Sequence, residues 1–131
     1  MKPIDILKAL GAGAGALALN LLITTAVITA YAMLIAPGHP PAFYEAAAPR
    51  IGAWTGPSGG AALLFAAAFI LTRRRPERAA IPFALAVGGA YVLIDGALGL
   101  AVGGLDLLFA GSMALAMLAV LAGAVLARRT G

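Results

Sequence analysis

The chain has no cysteine, one histidine and few charges of either sign. The absence of cysteine excludes disulfides, thiolate catalysis and cysteine-ligated metal or iron–sulfur sites. A single histidine gives no basis for a protein-built zinc or haem site, so we predict neither a metal nor a cofactor. Only 11% of the 131 residues are charged and 63% are hydrophobic, with a mean hydropathy of +1.01. A water-soluble domain of this size cannot bury so much apolar surface, which indicates that lipid is the solvent.

The apolar residues form four blocks, each long enough to cross a membrane. A helix needs about 20 apolar residues to span a hydrocarbon core of about 30 Å. The sequence therefore predicts an all-α, polytopic membrane protein, with residues 1–131 forming a single membrane domain built as a four-transmembrane-helix bundle. The predicted spans are residues 10–36, 55–72, 81–103 and 107–127. They leave no room for a soluble catalytic domain, so we expect no enzymatic activity.

The basic residues are distributed unevenly about these spans. Of the nine Lys and Arg residues, only Arg50 falls between the first two spans. The others precede the first span, follow the fourth or lie between the second and third. By the positive-inside rule, both termini and the loop at residues 73–78 are expected in the cytoplasm. The Ala- and Gly-rich composition, with Arg favoured over Lys, is typical of a protein of the bacterial inner membrane. Because the positive charges lie at helix ends, we expect the lipid bilayer as a partner and no nucleic acid.

The connection between the first two spans, residues 37–54, has helix-forming and aromatic residues. Residues 42–48 have helical composition, so we predict a short interfacial helix in this first outer loop, lying on the outer leaflet. Aromatic rings favour the membrane–water boundary, and arginines contact lipid head groups on the inner side. The predicted lipid-interface residues are Tyr31, Phe43, Tyr44, Trp54, Arg73, Arg74, Arg75 and Arg78. The alternative for this loop is a lid over an outward-facing cavity rimmed by His39, Glu45 and Asp106.

Glycines four residues apart occur in three of the spans. Such pairs lie on one helical face and let helix backbones approach closely in lipid, where packing drives association. The predicted helix-packing residues are Gly11, Gly15, Gly56, Gly60, Gly99 and Gly103. They serve either packing within the chain or association with a second copy or another membrane protein. Gly103 also allows a tight turn between the last two spans, where Asp106 is placed to cap the final helix.

Asp95 is the one acidic residue deep inside a predicted span. A carboxylate at that depth costs several kcal/mol unless it is paired, protonated or hydrated. Tyr91, one turn earlier, is placed to donate a hydrogen bond to it, and Asn20 and Thr24 form a second polar stripe on the first span. The hypothesis is a ligand or ion site built from Asp95, Tyr91, Asn20 and Thr24. The alternative is a structural carboxyl group that ties the third helix to the first.

Neither motifs nor spacing assign the chain to a known family, so the functional prediction rests on composition. Glycine stripes are abundant and catalytic constellations are missing. We therefore predict a small integral membrane protein that acts by helix packing with other membrane components, as an accessory or scaffold subunit or as a homo-oligomer. The alternative is a small proton- or cation-coupled transporter or channel that uses Asp95. A third class, a lipid-acting enzyme, requires His39, Glu45 or Asp106.

Overall fold

The computed structural model describes the backbone of residues 1–131 and every side chain except those of Glu77 and Arg78. The chain is all-helical, with four helices long and apolar enough to cross a membrane. They are α1, Pro3–Ala30, which continues into a π-helical segment at Tyr31–Ile35; α2, Pro41–Thr72; α3, Glu77–Val102; and α4, Leu107–Thr130. The number of apolar helices agrees with the sequence prediction. Arg78, predicted at the lipid interface, lies outside the described side chains.

The helices form a bundle in which α1 and α4 each pack against both α2 and α3. Short connections reverse the chain direction after each helix, so α1 and α3 run parallel to each other and antiparallel to α2 and α4. Both termini and the loop between α2 and α3 lie at one end, which we call the basic end. There Asp5 forms an ion pair with Arg75 at 2.9 Å, and Gly131 lies beside the backbone of Arg73.

The start of α2 differs from the prediction. The predicted separate helix at residues 42–48 is not seen, because these residues are the first turns of a continuous α2 that begins at Pro41. Pro49 and Pro57 lie inside this helix, and each leaves the carbonyl four residues earlier without its helical donor. Those carbonyls belong to Glu45 and Ala53, which are exposed. Two prolines are therefore tolerated without a break in the helix.

The helices differ in length. At 1.5 Å per residue, α2 is about 48 Å long and α1 about 42 Å, compared with about 39 Å for α3 and about 36 Å for α4. The α3–α4 pair is closed by Gly103, which has φ +71°, and by Asp106, whose Oδ1 accepts a 2.8 Å hydrogen bond from the N–H of Phe109. The predicted cap at Asp106 is confirmed. The α1–α2 pair extends further at the end opposite the termini, which we call the far end.

The buried core is concentrated in the half of the bundle nearer the basic end. Among the described residues, burial in α1 stops at Asn20, burial in α2 starts at Gly60 and burial in α4 starts at Ala116. In the half of the bundle nearer the far end, Gly99 of α3 is the only described residue that is buried. The largest fully buried side chains are Phe83, Leu64, Val87, Val120 and Thr72. The helices are therefore tightly packed near the basic end and loosely packed near the far end.

Close contact in the packed half depends on glycine. A Cβ added at Gly13 of α1 would lie 2.6 Å from the carbonyl oxygen of Val87 in α3. A Cβ at Gly88 of α3 would lie 2.9 Å from the sulfur of Met117 in α4, and one at Gly123 of α4 would collide with the α2 backbone at Phe65. At Gly13 and Gly123, where the nearest atoms are backbone, a side chain would force two helices apart; at Gly88 the Met117 side chain would have to move.

Gly13→Ala is expected to lower the free energy of unfolding by about 1–3 kcal/mol, because its methyl group would overpack the contact between α1 and α3. The matched control is Gly11→Ala on the same helix, where an added Cβ meets nothing within 4 Å. The control should leave stability unchanged or slightly raised, since Ala favours helix over Gly by about 1 kcal/mol. Unfolding in mixed detergent micelles measures both, and equal stability of the two variants would contradict this account of the packing.

Candidate functional site

The polar group at the centre of the bundle is the side chain of Asn20. It is 4% exposed and reaches two other helices. Its amide nitrogen donates a 2.9 Å hydrogen bond to the carbonyl oxygen of Gly56 in α2 and a 2.9 Å hydrogen bond to the hydroxyl oxygen of Tyr91 in α3. Tyr91 is 3% exposed. One amide therefore connects α1, α2 and α3 in the apolar interior.

Two consecutive glycines of α2 make room for this contact. A Cβ at Gly59 would lie against the amide oxygen of Asn20, and one at Gly60 would collide with the hydroxyl of Tyr91. The Gly56 carbonyl only accepts hydrogen bonds, which fixes the orientation of the amide with its nitrogen towards α2. The Asn20 oxygen then has no hydrogen-bond donor among the described residues and occupies the space that a side chain at Gly59 would need.

Thr24, the next residue of the predicted polar stripe, lies one turn beyond Asn20 towards the far end. Its hydroxyl oxygen lies 3.4 Å from that of Thr55 in α2, whose single hydroxyl hydrogen is shared between this contact and its own helix. Thr55 also donates a 2.9 Å bond to the carbonyl oxygen of Ile51 in its own helix. The stripe therefore joins α1 to α2, and the structure brings Asn20, Tyr91 and Thr24 to one region between the helices.

Asp95 is not joined to this group by a hydrogen bond. It lies one turn after Tyr91 on α3, is partly buried, and has no hydrogen-bond partner among the described residues. The expected donation from Tyr91 to Asp95 is not seen, because the Tyr91 hydroxyl oxygen faces Asn20 instead. Asp95 belongs to the loosely packed half, where its carboxyl group is accessible from outside the bundle.

The predicted glycine pairs do not act as pairs within the chain. Gly11 and Gly15 are exposed and have open space where a Cβ would stand. Gly56 contributes its carbonyl and Gly60 its lack of a side chain to the Asn20 contact. In the third pair, Gly99 packs against Leu105 of the following turn and Phe109 of α4, and Gly103 forms the left-handed end of α3.

Of the predicted interface aromatics, Phe43, Tyr44 and Tyr31 lie near the far end, whereas Trp54 lies nearer the middle of α2, two residues before Gly56. His39 stacks on Phe43 with ring centroids 4.0 Å apart. The Tyr44 hydroxyl donates to the carbonyl oxygen of Ala36 at 2.7 Å and accepts from the His39 N–H, which closes the connection between α1 and α2. Trp54 lies further along α2 and is 82% exposed. Tyr31 is half-buried in the π-helical segment.

At the basic end, Arg75 is held within the fold. Its guanidinium pairs with Asp5 and lies 3.6 Å from the ring centroid of Phe83. Arg73 and Arg74 are exposed. The Asp5–Arg75 pair had no local signal in the sequence, since 70 residues separate its members.

The alternative enzymatic set is not assembled. Asp106 is used as the helix cap and His39 is stacked on Phe43. No hydrogen bond or ion pair joins His39, Glu45 and Asp106 in the part of the chain that the structure describes. In that same part, no group of three or more His, Asp or Glu residues could hold a metal ion.

Gly13 and Gly59 contribute to the centre of the bundle but were missed by the sequence analysis. Gly13 precedes Asn20 by seven residues, so the two lie on one helical face. The seven-residue spacing could have predicted that Gly13 faces another helix, because a polar residue such as Asn20 in a membrane span faces protein rather than lipid. For Gly59, the sequence offers only its position next to Gly60, which does not predict a contact with Asn20.

Comparison with models of known protein families, with curated proteins and with solved structures gives no match. Function is therefore inferred from the geometry of this chain.

A double-mutant cycle of Asn20→Ala and Tyr91→Phe is expected to give a coupling energy of about 0.6 kcal/mol, and at most about 1.7 kcal/mol, the range for interhelical hydrogen bonds in membranes. Unfolding in mixed micelles measures each corner of the cycle. Tyr31→Phe replaces Tyr91→Phe in the control cycle, because the Tyr31 hydroxyl has no hydrogen bond among the described residues. Equal coupling in both cycles would rule out a specific Asn20–Tyr91 contribution.

Proposed function

We propose that this chain is a small integral membrane protein that acts by packing its helices against other membrane components, as an accessory or scaffold subunit or as a homo-oligomer. The observation that carries the proposal is the exposed face of α1. This face is lined by small residues along most of its length, and no other helix of the chain covers it.

Residues on this α1 face recur at helical spacing, and all are exposed. They are Gly11, Ala14, Gly15, Ala18, Leu22, Thr25, Ala26 and Thr29. The face extends about 27 Å along the axis, close to the thickness of a hydrocarbon core. Leu22 is its one large residue. The hydroxyls of Thr25 and Thr29 donate to carbonyls of their own helix, which leaves the surface without free donors.

Small residues on a lipid-facing helix favour association, because they allow a second backbone to approach closely and gain packing contacts. The exposed face of α3 has mostly larger side chains suited to lipid, such as Leu93 and Leu100, whereas α2 and α4 also expose small residues, among them Ala62, Ala66 and Gly111. A shallow groove follows the α1 face past Leu22 to Met33 and Leu34. The groove beside the small residues supports α1 as the side for a partner helix.

The far end of α1 supports the same proposal. Here the α1–α2 pair extends beyond the α3–α4 pair, and Met33, Leu34 and Ile35 are strongly exposed. Exposed apolar residues beyond a bilayer's hydrocarbon thickness must be accommodated by tilting of the helix or covered by another molecule. A partner that packs along α1 covers this segment as well.

We further propose the bacterial inner membrane as the location, with the basic end in the cytoplasm. The described basic residues other than Arg50 lie at the end with both termini, which supports this orientation through the positive-inside rule. The first turns of α2, with Phe43 and Tyr44, then lie at or beyond the outer membrane interface. Phe43 and Tyr44 are therefore the proposed outer aromatic anchors, whereas Trp54 lies two residues before Gly56, at the level of the Asn20 contact.

Gly15→Leu is expected to weaken association of the protein without unfolding it, because the side chain would block the approach of a partner helix. The measurement is the mass of the particle extracted in mild detergent from the membrane in which the chain is expressed, with co-purifying proteins identified. Wild-type protein should form a defined complex, and the variant should be a monomer. The matched control, Ala66→Leu, adds the same bulk at an exposed position of α2.

A homo-oligomer and an accessory subunit would give extracted particles of different mass. A second copy of the chain doubles the mass, and an accessory role adds a different protein. A wild-type monomer, or a complex unaffected by Gly15→Leu, would exclude the α1 face as the interface.

The second candidate function is a small proton- or cation-coupled transporter or channel. The observation that favours it is Asp95, a partly buried carboxyl group within α3 that has no hydrogen-bond partner among the described residues. It lies in the loosely packed half, and this candidate requires water or a cation to reach it there. Tyr91 and Asn20 close this region towards the basic end, so ion passage requires the helices to separate there.

For this candidate, Asp95→Asn should abolish proton or cation flux into proteoliposomes, because the amide neither carries a charge nor exchanges a proton. Flux is read with an internal pH-sensitive dye and with sodium- and potassium-sensitive dyes. Glu45→Gln is the control, since it removes an exposed carboxylate near the start of α2. Equal flux in wild-type and Asp95→Asn vesicles, with folding intact, would eliminate this candidate.

A further inference from the structure

The basic end presents an exposed cationic surface whose composition fits one kind of ligand. Seven described basic side chains lie there, and Asp5 is the one acidic side chain among the described residues at that end. Asp5 is paired with Arg75, which also stacks on Phe83. The seven are Lys2, Lys8, Arg73, Arg74, Arg75, Arg128 and Arg129. The charge of Arg75 is therefore balanced inside the fold, and Arg73 and Arg74 beside it are exposed.

Arg73 and Arg74 stand at the edge of a groove at the end of α2. The groove is lined by Phe69, Ile70 and Leu71 together with these two arginines. Ile70 is 66% exposed and Leu71 is 39% exposed, so the groove has an apolar wall directly below the two guanidinium groups. This combination matches a molecule with an anionic head and an apolar tail.

The end of α4 adds further positive charge beside this groove. Gly131, at the end of α4, lies close enough to α2 that an added Cβ would be 3.6 Å from the Arg73 carbonyl oxygen. Arg128 and Arg129 occupy the last turn of α4. Because α2 and α4 run parallel and pack together, their basic ends meet on one side of the bundle. The helix C-termini themselves repel an anion, so binding must come from the arginine side chains.

We propose that the groove at the end of α2 binds an anionic phospholipid, with the phosphate held by Arg73 and Arg74 and an acyl chain lying along Ile70. Guanidinium groups bind phosphate oxygens through paired, charge-assisted hydrogen bonds. The exposed apolar wall selects a lipid over a free phosphate ion, because an ion gains nothing from contact with Ile70 and Leu71. This binding is independent of the partner proposed for the α1 face.

The test is a titration of the purified protein with phosphatidylglycerol and with phosphatidylcholine in detergent, with bound lipid counted by native mass spectrometry. Wild-type protein should bind phosphatidylglycerol more tightly. The double variant Arg73→Gln with Arg74→Gln should lose roughly thirtyfold in affinity, since each basic residue near an anionic surface contributes about 1 kcal/mol. Arg73→Lys with Arg74→Lys retains charge and should retain much of the binding.

Arg50→Gln is the control variant, because it removes an exposed arginine at the other end of the bundle. Binding should weaken as salt increases. If the double variant fails to fold, Arg74→Gln alone is tested, with an expected loss of about fivefold. The proposal is overturned if the folded glutamine variants bind phosphatidylglycerol as wild type does, or if phosphatidylcholine binds equally well. Displacement of the lipid by millimolar inorganic phosphate would also overturn it, in favour of a simple phosphate site.

Discussion

The packing of this bundle depends on the side-chain amide of Asn20. Between apolar helices, a polar group without partners costs much more than in water, so its hydrogen bonds determine which helices come together and at what height. Asn20 meets the backbone of α2 at Gly56 and the hydroxyl of Tyr91 on α3. Gly59 and Gly60 make this geometry possible, because a side chain at either position would occupy the space of the amide or the hydroxyl. α4 then packs against α2 and α3 through Gly123 and Gly88.

The position of this contact explains the uneven packing of the bundle. Towards the basic end, small residues bring the helices together around Leu64, Phe83 and Val120. Towards the far end, the described core ends, and the longer α1 and α2 extend past α3 and α4. The half of the bundle near the basic end therefore has a buried core, and the half near the far end has exposed apolar surface. Both proposed functions use the loosely packed half: one through the α1 face that continues into it, the other through Asp95. The proposed phospholipid site uses the packed half, where folding leaves Arg73 and Arg74 exposed.

The sequence predicted local features well and the extent of α2 poorly. The apolar helices, the turn at Gly103 and the cap at Asp106 follow from hydrophobicity and from interactions within one or two turns of the chain. The separate helix at residues 42–48 was inferred from local composition and is not found, because these residues are the first turns of α2, which continues through Pro49 and Pro57 to Thr72. The expected hydrogen bond between Tyr91 and Asp95 was also inferred from spacing along one helix, whereas Tyr91 bonds to a residue 71 positions away.

The sequence by itself determined the helical class, the number of apolar helices and the segregation of basic residues to one end. These properties depend on composition and on order along the chain. Only the tertiary structure decided that Gly13 faces α3 while Gly11 and Gly15 face outward, and that Asn20 meets Gly56 and Tyr91. The physical reason is that the protein interior and lipid are both apolar, so hydrophobicity does not distinguish the inner face of such a helix from its outer face. The rotation and depth of each helix are set by close backbone contacts and a few polar groups, whose partners lie far apart in the chain.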